Sequence, residues 1–193
     1  MKLSCKFVQL LAVLVLSAAA AYAQAVPADA KDFNKDGLSF KYLSGWQLND
    51  ASNPDAQQLT LGRADSEAQI VVFVFRAPLN TPEKIAEAKR VLVDKYVAST
   101  VKQFEQAGGK PVSSPASSEI SGVKSEGVKI KASLDGVAGV AEIQSAVVGQ
   151  RLVVLTLLSP DKGVAKATPI WDAIRTTIKT GETAPAATTT PTP

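Results

Sequence analysis

The sequence contains no histidine and a single cysteine. Without histidine there is no Ser-His-Asp triad, no Cys-His pair, no imidazole acid or base and no His-ligated zinc. The cysteine, Cys5, lies ahead of an apolar run, so the chain beyond that run has no disulfide, no reactive thiol and no thiolate metal ligand. A bacterial lipoprotein carries its cysteine directly after such a run, which excludes lipid anchoring. Carboxylates, lysines and tyrosines are left for any chemistry, and stability must come from a packed core. A dominant charge is lacking too. The 21 basic residues become 19 once Lys2 and Lys6 are removed, against 18 acidic ones, a net charge of +1. Duplex nucleic acid needs a concentrated basic face, so no nucleic-acid partner is expected.

What is present begins with an export pattern. Lys2 and Lys6 precede "FVQLLAVLVL", which is too short, and interrupted by Gln9, for a membrane span. Ala21-Tyr22-Ala23 fits a small-residue cleavage site with cutting before Gln24; Ala23-Gln24-Ala25 is the neighbouring alternative. Residues 1–23 therefore read as a cleaved signal peptide, with an uncleaved anchor as the alternative. The mature chain is expected in the periplasm or outside the cell, peripheral to a membrane at most. Residues 182–193, rich in Thr, Pro and Ala, have nothing to bury and are expected to be disordered. One domain, 29–181, remains.

Within it, Leu38, Phe40 and Tyr42 alternate with polar residues, the signature of a half-buried strand, and Leu59 and Leu61 repeat it. "QIVVFVF", Gln69 to Phe75, is apolar at almost every position and predicts a strand covered on both faces, Val72 and Val74 toward one, Phe73 and Phe75 toward the other. Thr81-Pro82 marks a helix start. Ile85, Ala88, Leu92, Tyr96 and Phe104, widened by Val93, Val97 and Val101, predict a helix to Ala107 of about 39 Å. "KPVSSPASSEISG" reads as a loop, followed by a three-strand meander turning at Asp135-Gly136 and Gly149-Gln150. A last helix is expected from Thr168-Pro169, with Ile170, Ile174 and Ile178 inward. The sum is an α+β fold: an antiparallel sheet of about six strands between two main helices.

The candidate site residues are few. Asp32, Asn34 and Asp36, followed by Gly37, open like an EF-hand and are the candidate metal ligands. The loop would need a carboxylate at its twelfth position, where Leu43 stands, so Asp36-Gly37 reads as a turn and no metal or other cofactor is expected. Trp46 is a candidate binding aromatic, with packing under the sheet as the alternative. Lys124, Lys129 and Lys131 share one strand and could face an acidic partner, a solvated strand face being the alternative. A carboxylate-based hydrolase would need two convergent acids, for which Glu126 and Glu142 across the meander are the candidates.

The element order and "DGLSFKYLSGW" resemble the PsbP/DcrB-like family, whose domains open with a Gly-Phe-Ser-Phe-x-Tyr-Pro-x-Gly-Trp-like segment. Gly37, Ser39, Phe40, Tyr42, Gly45 and Trp46 match; Leu38 stands for an aromatic and Leu43 for the proline. The resemblance implies a PsbP-like α/β/α sandwich and a mostly non-enzymatic role. PsbP-like members are extrinsic subunits of photosystem II, DcrB-like members are envelope proteins, and a related fold serves a nucleotide-release factor of the Ran GTPase. With the export pattern, it implies an envelope binding or accessory protein acting on a protein partner through its surface.

Overall fold

The structure, a computed structural model, describes residues 29–181. The signal peptide expected at 1–23 and the tail at 182–193 lie outside the described residues. The chain opens with a hairpin of β1 (Ala30–Lys35) and β2 (Leu38–Leu43). Lys35 faces Leu38, and the two loop residues, Asp36 and Gly37, have φ of 49° and 75°. Two successive positive φ values make the tight turn whose twist suits a hairpin, and Asp-Gly is suited to it. The stretch that opens like a calcium loop is thus a strand and its turn.

Strands β3 (Gln47–Asp50), β4 (Ala56–Gly62) and β5 (Gln69–Phe75) follow. A long helical segment comes next: α1 (Pro82–Ala88), a π-helical stretch (Lys89–Asp94) and α2 (Lys95–Gln106). As its sequence predicts, Thr81 caps it, its hydroxyl accepting from the Lys84 amide at 3.3 Å with Pro82 next in line. Then come β6 (Val112–Ile120), β7 (Val123–Leu134), β8 (Val137–Val148), β9 (Arg151–Pro160), α3 (Asp161–Thr177) and β10 (Lys179–Thr180).

The expected single sheet of about six strands is two sheets. The main one has seven antiparallel strands in the order β3-β4-β5-β9-β8-β7-β6, and a small one joins β1-β2-β10. The segment read as a loop is the edge strand β6, whose side chains are mostly exposed on both faces, so no apolar alternation betrays it. The last helix starts not at Thr168 but at Asp161, and Pro169 lies inside it. Its first turns pack through small residues: a Cβ on Gly163 would meet the Ser66 carbonyl oxygen at 2.6 Å. Ile178, expected within that helix, follows it and is buried.

The two faces of the main sheet are covered differently. On one, Val72, Val74, Val153 and Leu155 pack with Ile170, Trp171 and Ile174 of α3 and with Leu38 and Phe40 of the small sheet. On the other, Phe73, Phe75, Val154 and Ile143 meet Ile85, Leu92, Val93, Val97 and Val101 of the long helical segment. The parity expected for β5 is therefore observed. Among the described residues, no helix is long and apolar enough to cross a membrane.

Candidate functional site

The contrast between the two helical covers locates the site. In α3, Gly163, Ala167, Ile170, Trp171, Ala173 and Ile174 are buried. From Pro82 to Gln106 only Ala88 and Thr100 are; Ile85, Leu92, Val93, Val97, Val101 and Phe104 are all half-buried. Beneath them Val71, Phe73 and Phe75 of β5 also stay half-exposed, whereas Ile143, Leu152 and Val154 are buried. The apolar helix face thus closes over β8 and β9 but not over β5.

The π-helical stretch shapes that gap. A π turn carries one extra residue per turn, which steps the apolar stripe sideways by one position. Upstream the stripe is Ile85, Ala88 and Leu92; downstream it is Val93, Val97 and Val101, so adjacent residues Leu92 and Val93 both reach toward the sheet, one on each flank. On the Leu92 side lies a cleft of about 300 Å³. Its floor is Val71, Phe73, Val154 and Thr156, its wall Leu92 and Tyr96, with Gln58 at the side. Tyr96 is 36% exposed. On the Val93 side a second cleft of about 370 Å³ is lined by Val93, Val97, Val128 and Ile143, and by Lys89 and Glu126. Lys89 and Glu126 pair at 2.8 Å, and that ammonium holds the Glu126 carboxyl below its ordinary value. The Leu92 cleft has no ionisable group other than the tyrosine hydroxyl; the Val93 cleft carries a bridge.

A third concavity, of about 400 Å³, lies at the end of the sheet between Arg76, Arg151, Gly149 and Thr180. Arg76 donates to the Asp36 carboxylate at 2.9 Å and to the Asn53 carbonyl at 3.0 Å. Arg151, 3% exposed, donates to the Asp36 carbonyl at 3.3 Å and to Gln57 Oε1 at 3.2 Å, while Gln57 Nε2 donates to the Lys35 carbonyl at 2.9 Å. Burial pulls the Arg151 guanidinium below its ordinary value, Arg76 adds to this and Asp36 opposes it. These contacts tie the β1–β2 turn to the main sheet, so this cluster is a structural clamp.

The residues singled out in the sequence do not converge. Asp32 faces Lys41 across the hairpin and pairs with it at 3.1 Å, Asn34 sits opposite Ser39, and Asp36 is held by Arg76. Among the described residues no group of three or more His, Cys, Asp or Glu side chains is placed to hold a metal ion. Trp46 is 3% exposed and belongs to the core, which corrects the reading of it as a binding aromatic. Register splits the lysines. Lys129 and Lys131 share a face with Ser125, while Lys124 shares the opposite face with Val128 and Ile130. Lys129 stands opposite Glu142 and approaches it to 3.8 Å. One joint lysine surface does not exist. Glu126 and Glu142 are separated in the same way: Glu126 opposes Ser145 on the long-helix face, and Glu142 lies on the other.

Sequence reading missed Tyr96 as a site residue, and Arg76 and Arg151 as a clamp. The cleft had one legible signal: apolar residues at both 92 and 93 and at both 96 and 97, a stripe wider than one α-helical face.

No family model and no curated protein matches the sequence. Among solved structures, the fold is similar to the solution structure of cyanobacterial PsbP from Synechocystis sp. PCC 6803, at 11% identity and a TM-score of 0.49, covering 80% of this chain and 94% of that one. It is also similar to a crystal structure from Bacteroides thetaiotaomicron VPI-5482, at 14% identity and a TM-score of 0.51, over 80% of this chain but only 49% of that one. At such identities the likeness is one of fold alone.

Proposed function

We propose that this is an exported, non-enzymatic binding protein of the cell envelope, accessory to another component, whose working face is the one under α1 and α2. The observation that carries the reading is the asymmetry of the two covers. The α3 side is sealed, whereas the long helical segment leaves its apolar stripe half-exposed, with clefts on both flanks. Apolar surface left open beside adaptable clefts is what a recognition face offers. A carboxylate hydrolase is disfavoured because Glu126 and Glu142 stand on opposite faces of the sheet.

A photo-cross-linking residue placed at Val97 on α2, and separately at Thr176 on α3, tests the working face in the cell that makes the protein. Adducts are expected from position 97 and not from 176; adducts from 176 alone would overturn the assignment. Intact mass of the same material tests export. A mature chain beginning at Gln24 or Val26 is expected, and a mass that retains residues 1–23 contradicts it.

A further inference from the structure

We infer that the cleft on the Leu92 flank binds a small, uncharged, mostly hydrocarbon molecule of about ten non-hydrogen atoms. The inference rests on the α1–α2 face being the working face and names what that face holds.

The lining sets the chemistry. Val71, Phe73, Leu92 and Val154 are apolar, and the polar atoms come from Gln58, Tyr96 and Thr156. None of these is charged at neutral pH, so a carboxylate or ammonium would enter with no opposite charge, and an unpaired charge taken from water is strongly disfavoured. A hydroxyl or carbonyl, by contrast, finds donors and acceptors in the tyrosine hydroxyl and the glutamine amide.

Loose packing forced by these strands does not explain the opening. Ile70, Val72, Val153 and Leu155, their neighbours pointing to the α3 side, are all 0% exposed. On the cleft side Val154 and Thr156 of β9 are 5% and 1% exposed, whereas Val71 and Phe73 of β5 are half-exposed, so the opening lies over β5. The opening coincides with the π-helical stretch, which sets Leu92 and Tyr96 one α-like turn apart on the same flank. Such insertions are frequent at functional sites.

Volume sets the size. At roughly 30 Å³ for a water-sized group, a cleft of about 300 Å³ takes about ten of them. That lies at the small end of ligand pockets.

Full-length protein is titrated with the small neutral fluorescent probe 1-aminonaphthalene, which is then displaced with 1-octanol, octanoate or octylammonium. Octanol should displace it, and both charged homologues should be weaker by about tenfold or more. Val71→Phe, which fills the Leu92 cleft, should abolish probe binding with the thermal midpoint retained; Thr176→Ala, on the exposed side of α3, should leave it unchanged. Should Val71→Phe fail to fold, contacts between octanol and the Leu92 and Val154 methyls of the unmodified protein decide by nuclear Overhauser effects. Equal displacement by all three homologues, unchanged binding in folded Val71→Phe, or no such contacts would overturn the inference. If octanol does not bind while adducts still form from position 97, the ligand class fails and the working face stands. If both are absent, both fail.

Discussion

Truncating one residue in each helical cover turns the asymmetry into a number. Ile174 of α3 is 0% exposed and belongs to the same buried core cluster as Val72, Leu155 and Leu38. Removing buried methyl and methylene groups costs their transfer free energy plus a cavity that the neighbours cannot refill, about 2–5 kcal/mol for Ile→Ala. With a rigid sheet on one side and α3 on the other, Ile174→Ala should fall in the upper half of that range, about 4 kcal/mol. The higher helix propensity of alanine offsets only about 0.4 kcal/mol of it. Leu92 is half-exposed and already borders a cleft. Its truncation removes three carbon groups at about 0.8 kcal/mol each when fully buried; half of that, with little new cavity, is about 1.2 kcal/mol. Urea melts of the two variants, compared at constant slope, should therefore differ about threefold in lost stability. Equal losses would refute the reasoning, because they would mean that both covers are packed alike. Phe73, from sequence alone a core residue worth about 3–5 kcal/mol on truncation, borders the same cleft and should fall below that range.

Three further outcomes are expected. The Lys35 ammonium, donating at 2.7 Å, and Ser52 hold the Asp50 carboxyl down at about 2. A depressed carboxyl stabilises the fold above its unfolded value of about 4 and loses that contribution as pH falls toward 2. The pair is partly solvated, at 51% and 25% exposure, so Asp50→Asn should remove less than about 1 kcal/mol at pH 6 and only a small part of that at pH 2, read by urea melts across that range. Gly37→Ala forces a Cβ onto a residue at φ of 75° and should cost about 1–2 kcal/mol, lowering the thermal midpoint by several degrees. Millimolar calcium or chelator should leave that midpoint within about a degree, since tight binding would raise it by mass action; a calcium-dependent rise lost in Asp36→Ala would reinstate the metal reading.

Much of the fold was legible because burial leaves a period. Two-sided strands such as Gln69–Phe75 and Arg151–Pro160 show as continuous apolar runs, and the Thr81-Pro82 cap and the Asp135-Gly136 turn carry their own chemistry. What stayed hidden lacks a period. The edge strand β6 is wet on both faces, so its serines and Pro115 look like a loop. The first turns of α3 pack through Gly163 and Ala167, which leave no hydrophobic stripe, and Thr168-Pro169 then mimics a start. The hairpin at Asp36-Gly37 was half visible: its turn residues were clear, but Asp32 and Asn34 on the exposed side of β1 imitate ion ligands.

For the site, residue parity alone already separated Lys124 from Lys129 and Lys131 once the strand was assigned. The cleft beside Leu92 was not readable in that way. It depends on a one-residue insertion in the helix, and a widened apolar stripe does not say whether the extra residue is buried or left beside a gap.

Hydrogen exchange read residue by residue tests the central claim most directly, since it reports the free energy at which each segment opens. The amides of Lys95–Gln106 should exchange through a partial opening well below the global stability, while those of Asp161–Thr177 exchange only on global unfolding. Equal protection of the two helices would contradict an anchored cover on one face and a recognition cover on the other.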